Sequence, residues 1–114
     1  MIIKKSQRKK EKISRKGIVY DYPVKSKKIG FSVQELNGRI PERGKYRNKI
    51  CNEMCYVIKG KGVVFINNKK INVSEEDIYF IKPNQKSFLI ANKMNVLTIT
   101  QPDWYKKQCE VVEK

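Results

Sequence analysis

From Gly17 onward the chain is a succession of short runs rich in Ile, Val, Phe, Tyr and Thr, punctuated by turn residues, and no window sustains a helical period. The runs are Ile18-Val19-Tyr20, Ile29-Gly30-Phe31-Ser32-Val33, Val57-Ile58, Val63-Val64-Phe65-Ile66, Ile71-Asn72-Val73, Ile78-Tyr79-Phe80-Ile81, Phe88-Leu89-Ile90 and Val96-Leu97-Thr98-Ile99-Thr100. Such side chains suit a pleated surface. Gly60-Lys61-Gly62 reads as the break between two strands, and Asn67-Asn68 supplies the positive φ that a tight hairpin requires. Ser74-Glu75-Glu76-Asp77 and Lys82-Pro83-Asn84-Gln85 punctuate the next pair. Eight short strands at this spacing predict an all-β sandwich or barrel. Beyond them Gln101-Pro102 opens a turn, Trp104 is expected against the barrel, and a helical turn is expected to finish the chain.

At 114 residues and 39% hydrophobic content, the chain can build one modest core. No apolar run approaches the roughly 20 residues that span a bilayer, so no membrane partner is expected. Met1-Ile2-Ile3 runs directly into lysines, unlike the apolar segment of a secretory signal. With three cysteines and no such signal, a disulfide framework is not expected and the chain reads as cytoplasmic. There is no histidine. Ser-His-Asp and Cys-His catalysis, histidine-bearing zinc sites and the two-His iron triad are therefore excluded.

The net charge is +15, from 26 Lys and Arg against 11 Asp and Glu. Residues 1–16 hold eight of the basic residues against Glu11 alone, about half of the excess. This segment is expected as a basic N-terminal arm, disordered or extended, with the β-barrel domain over residues 17–114. The arm is either a solvated terminus or a polyanion-binding element that releases counterions from nucleic acid. Few aromatics interleave with the basic clusters, which weakens base stacking as a mode of binding.

One segment resembles the cupins, small jelly-roll barrels with two sequence motifs lining a cavity. Glu53-Met54-Cys55-Tyr56-Val57-Ile58-Lys59-Gly60 matches the E-x6-G end of the first cupin motif. Glu76-Asp77-Ile78-Tyr79-Phe80-Ile81-Lys82-Pro83-Asn84 is similar to the second motif's G-D-x-x-x-I-P-P-G/N stretch, with Glu76 in place of the glycine. The similarity covers about residues 40–101 and implies a small cupin-type jelly-roll barrel. The family's H-x-H positions fall on Arg47 and Lys49 with one spacing, or on Tyr46 and Asn48 with the other. The second-motif histidine falls on Ser87 or on Phe88. No choice supplies an imidazole, so the metal chemistry common among cupins does not transfer, and neither a metal nor another cofactor is expected.

Cys51, Glu53 and Cys55 alternate, so a strand turns all three to one side. Cys51 and Cys55 would stand about 13 Å apart along it. That is too far for one zinc ion at ~2.3 Å from each thiolate, or for a disulfide whose Cα atoms must lie within ~7 Å. The expectation is buried, unreactive thiols. Arg47, Lys49, Glu53 and Ser87 are the expected ligand-binding residues of the barrel. If the basic pair faces inward, the ligand is an anionic small molecule such as a sugar phosphate, a nucleotide sugar or a carboxylate. A purely structural alternative is an ion pair between Glu53 and Arg47 or Lys49. An enzymatic alternative is a metal-independent isomerase or epimerase, with Glu53 or Tyr46 as acid or base and Lys49 or Arg47 as electrophile. The resemblance also implies a homodimer, for which Ile18–Tyr20 and the outward side of Met54, Tyr56 and Ile58 are the candidate contacts.

Overall fold

The structure is a computed structural model and describes residues 1–113; Lys114, the last residue of the expected barrel domain, lies outside them. Nine antiparallel strands are described: β1 (Lys9–Ser14), β2 (Gly17–Tyr22), β3 (Gly30–Ile40), β4 (Lys45–Asn48), β5 (Asn52–Ile66), β6 (Lys69–Ser74), β7 (Ile78–Ile81), β8 (Lys86–Gln101) and β9 (Cys109–Val112). The all-β cupin-type jelly roll expected from the sequence is the fold observed.

Two long strands organise it. β5 runs unbroken for 15 residues and β8 for 16, where the sequence reading placed a pair of strands each. Gly60-Lys61-Gly62 therefore does not separate strands. It carries a bulge, with register shifts on either side of Lys59, and Gly60 sits at φ +84° opposite Lys93 at φ +48°. The paired bulges bend both strands, so each passes from one layer of the barrel to the other. One layer has the order β1-β2-β3-β8-β5-β7, using the C-terminal half of β8 and the N-terminal half of β5. The other is built from the remaining halves of β5 and β8, with β6 on β5, and with the end of β3 (Gly38–Ile40) and then β4-β9 along the other side of β8.

Alternation along these strands sends Leu36, Cys55, Val57, Val64, Leu89, Met94 and Val96 into the core between the layers. Asn67, at φ +53°, turns the β5–β6 hairpin as expected. Glu76, which replaces the motif glycine, adopts φ +72°, the left-handed conformation that glycine would have adopted freely.

Three strands were not anticipated. The basic arm, expected as disordered or extended, is extended over β1, which pairs with β2 from Lys9↔Asp21 to Ser14↔Gly17 and forms the sheet edge. β4 and β9 pair with each other, and β4 also pairs with β8. The helical turn expected at the C-terminus is a short 3-10 turn at Lys106–Gln108 that leads into β9. Trp104, expected against the barrel, is 44% exposed.

Candidate functional site

Between the layers β3, β4, β5, β7 and β8 enclose a cavity of about 70 Å³. At roughly 10–15 Å³ per water molecule, that is room for a few waters or for one end of a ligand. Its polar lining comes from Gln34, Tyr46, Glu53, Tyr79, Ser87 and Thr98. Leu36, Ile40, Val64, Ile81 and Leu89 supply apolar wall.

Strand alternation decides which residues arrive there. On β4, Tyr46 lines the cavity and Asn48 is buried beside it, so the Tyr46/Asn48 spacing of the motif is the one realised. Arg47 lies between them and forms an ion pair with Glu110, its register partner on β9. Lys49 follows the strand end and is exposed. The expectation that Arg47 and Lys49 line the interior is thus corrected by a one-residue phase. Glu53 is not their ion-pair partner either. Ser87 is buried opposite Tyr46, while the Phe88 ring stacks on Phe65 at 4.2 Å with the Arg39 guanidinium 4.2 Å above it.

Glu53 is held by neutral groups. Its Oε1 accepts a hydrogen bond from Asn48 Nδ2 at 2.8 Å. Asn48 Oδ1 accepts from Gln108 Nε2 at 2.9 Å, and Gln108 Oε1 accepts from the backbone N–H groups of Ile50 and Cys51 at 3.2 and 3.0 Å. The relay from backbone to Gln108 to Asn48 fixes the orientation of the carboxyl group. Oε2 has the Cys55 thiol at 3.9 Å, a long and weak contact. The cavity leaves Glu53 some accessible surface, but protein surrounds it at depth. Desolvation therefore raises its pKa, and the hydrogen bonds from Asn48 and Cys55 only partly oppose the shift. Burial, and then neighbouring ionisable groups including Glu53, push the Tyr46 and Tyr79 phenols up as well. Both carry their protons at neutral pH.

Gln34 donates from Nε2 to Thr98 Oγ1 at 3.3 Å, closing the polar wall on the β3–β8 side. Of the expected site residues, Tyr46, Glu53 and Ser87 come together. Tyr79, Thr98, Gln34 and Gln108 were not anticipated. Alternation from Glu53 and Ile81 could have signalled the inward faces of β5 and β7. Gln108 reaches the site only because β9 folds back on β4, which no local pattern reveals.

The cupin metal positions correspond here to Tyr46, Asn48, Glu53 and Ser87, a donor set with one carboxylate and no imidazole. That set does not fit a transition-metal centre. Among the described residues, no three Cys, Asp or Glu side chains gather into an alternative one.

The cysteines are free, and Cys51 and Cys55 are buried. Burial pushes the Cys55 thiol up to about 12 and the Cys109 thiol up to about 11. Thiolate is the reactive species. In the native protein, labelling by a thiol-reactive reagent at neutral pH is expected to be slow, with Cys109 first and Cys51 and Cys55 released only on unfolding. Rapid labelling of Cys55 by mass spectrometry would contradict this arrangement.

Basic side chains gather elsewhere. An open groove of about 400 Å³ beside the bulges is lined by Arg15, Lys16, Lys59 and Lys93, with Glu35 as its acidic member.

No family model matches the chain, and no curated protein is significantly similar to it in sequence. Solved structures are similar in fold. A Streptomyces PAC13 variant with uridine superposes with a TM-score of 0.87 at 13% identity, over 97% of this chain and 89% of that one. A second Pac13 structure, described as a unique nucleoside dehydratase, gives 0.88 at 12% identity over 99% and 91%. KdgF from Halomonas gives 0.74 at 11% identity over 91% and 94%. These likenesses show a shared cupin-like barrel.

Proposed function

We propose that this barrel binds the reacting end of an uncharged, hydroxyl-rich small molecule, a nucleoside or a sugar, and that Glu53 moves a proton on it. The observation that carries the reading is a buried carboxyl group with no cation among its hydrogen-bond partners, held by one amide and flanked by two protonated phenols. An anionic ligand was expected on the premise that Arg47 and Lys49 face inward; with both outside, Glu53 would repel an anion in the cavity. Hydroxyl groups find both donors and acceptors in Tyr46, Tyr79, Ser87 and Thr98. The barrel's likeness to a nucleoside dehydratase adds support for this ligand class.

A carboxyl group whose pKa is raised toward neutrality serves general acid–base catalysis better than an ordinary one. On a sugar, or a nucleoside's sugar, that carries an aldehyde or ketone, Glu53 would take a proton from the carbon beside that carbonyl, leaving the C–H electron pair as an enolate whose oxygen a tyrosine O–H stabilises. Returning the proton to the old carbonyl carbon, while the neighbouring hydroxyl passes its proton to the enolate oxygen, gives isomerisation; returning it to the opposite face of the same carbon gives epimerisation. Expelling a β-hydroxyl, protonated as it leaves, gives dehydration and water. The same chemistry serves the metal-independent isomerase or epimerase that the sequence offers as the enzymatic alternative.

The test is a thermal-shift screen of nucleosides, sugars and their phosphates, followed by NMR in deuterated water. An uncharged nucleoside or sugar is expected to raise Tm more than its phosphate, and one that carries an aldehyde or ketone is expected to incorporate deuterium. Glu53→Gln should keep the binding and lose the incorporation. Stabilisation by anions alone, or by no neutral ligand, would refute the reading. Binding without deuterium incorporation would refute its catalytic half.

A further inference from the structure

We infer that the groove beside the bulges binds the phosphodiester backbone of nucleic acid, without regard to base sequence. Register shifts in β1 after Lys12, in β3 after Leu36 and in β5 on either side of Lys59 fall at one level of the sheet. The cross-strand row Lys12-Ile18-Glu35-Asn95-Lys59 marks that level on the outer face. Bulges re-aim side chains. Here Arg15 and Lys16 from the β1–β2 turn, Lys59 from β5 and Lys93 from β8 converge on one groove of about 400 Å³. The backbone contacts fix their starting points. Asn37 N–H donates to the Lys16 carbonyl at 2.8 Å, and Asn37 Oδ1 accepts from Lys93 N–H at 3.2 Å. One asparagine thus ties the β1–β2 turn to the bulges of β3 and β8. The Lys16 stem crosses β3 over Gly38, where a Cβ would meet its Cδ at 2.6 Å.

Charge selects the ligand. Glu35 is the one carboxylate against four cations in the groove, and its Oε1 already accepts the Tyr20 O–H at 3.2 Å. Among the described residues the only ion pair is Arg47 with Glu110, on the other layer. The groove cations therefore repel one another without an internal counter-charge, and a bound polyanion removes that cost. The basic surface continues along β1, whose outer face carries Lys10 and Lys12, about 7 Å apart across two residues of strand. Six cations strung along the strand, the turn and the two bulges exceed what one phosphate group can contact, and they suit an anion repeated along a chain. No aromatic side chain lines the groove, so bases have nothing to stack on and the contacts fall to phosphates. Lys59 and Lys93 come from the barrel itself, which makes the site a folded surface and not a property of the N-terminal arm alone. The groove shares only Leu36 with the cavity, so the two can be filled independently.

The experiment is fluorescence anisotropy of labelled mixed-sequence oligonucleotides, single-stranded and duplex, titrated with the full chain at several NaCl concentrations. The duplex is expected to bind at least as tightly as the single strand. Its log K should fall with log[salt] with a slope of about −5, as six phosphate contacts require. Lys59→Gln combined with Lys93→Asn should weaken binding and reduce the slope by about 2. Its circular dichroism spectrum should not change, because both side chains are exposed and asparagine tolerates the positive φ at position 93. Lys69→Gln combined with Lys70→Asn removes the same charge from exposed positions of β6 in the other layer and should leave the slope unchanged. Absence of binding at low salt, equal losses in the two double variants, a preference for single strands, or displacement by an equal concentration of inorganic phosphate would overturn the inference.

Discussion

Gly60→Val is expected to destabilise the protein by on the order of 3 kcal/mol or more. Two costs combine. Gly60 sits at φ +84°, where a β-branched residue is strained. In addition, a Cβ there would stand 2.1 Å from the Lys93 carbonyl oxygen, 2.7 Å from its carbonyl carbon and 2.9 Å from the Asn92 oxygen. All three are backbone atoms of the opposing bulge, so no side chain can swing aside. The ladder must part where β5 and β8 bend between layers. Urea unfolding monitored by tyrosine and tryptophan fluorescence measures the loss, with exposed Lys61→Ala as a control that should change stability by less than about 0.5 kcal/mol. A loss below 1 kcal/mol for the valine variant would mean that the bend does not depend on the close approach of these backbones.

Glu53→Gln is expected to remove proton transfer while stabilising the fold at neutral pH, by on the order of 1 kcal/mol. Burial raises the Glu53 pKa above its ordinary value of 4.5. As pH climbs past 4.5, the unfolded chain releases this proton while the folded chain retains it, so the folded state binds more protons and stability declines with rising pH. The decline ends above the raised folded pKa, where the full cost of a buried carboxylate is present; below 4.5 that cost is absent. Glutamine is neutral throughout and can still accept the Asn48 N–H. The stability gap between the two proteins should therefore open as pH rises from 4 and level off above the folded pKa of Glu53. Thermal unfolding across that range gives the answer. A constant gap, or a glutamine variant less stable at neutral pH, would show that Glu53 is not held against its solvation preference.

The strands with apolar alternation were legible because each buries one face, and β2, β6 and β7 correspond to runs read directly from the sequence. β5 and β8 were read as broken because Gly60 and Lys93 interrupt the pattern, although a bulge interrupts alternation without ending a strand. β1, β4 and β9 escaped for a different reason. Lys9-Lys10-Glu11-Lys12 and Lys45-Tyr46-Arg47-Asn48 carry too few apolar side chains to mark a strand, and their pairing comes from neighbours far along the chain. Glu53 was legible through its spacing to Gly60. The choice between Tyr46 and Arg47 was not, since a shift of one residue exchanges the inner and outer faces and the two motif spacings differ by that one residue. Gln108, which orients Asn48, belongs to the site through tertiary structure alone.

The two long strands also determine how the molecule comes apart. Because β5 and β8 each lend half their length to both layers, neither layer owns a complete set of strands, and no cut across the barrel leaves a self-sufficient piece. The ladder from Asn52↔Gln101 to Ile66↔Ser87 closes over the whole segment between them, so its chain-closure entropy must be met before either layer gains its packing. The expected behaviour is a single all-or-none transition with slow assembly, in which local fraying is confined to the outlying β1 and β9.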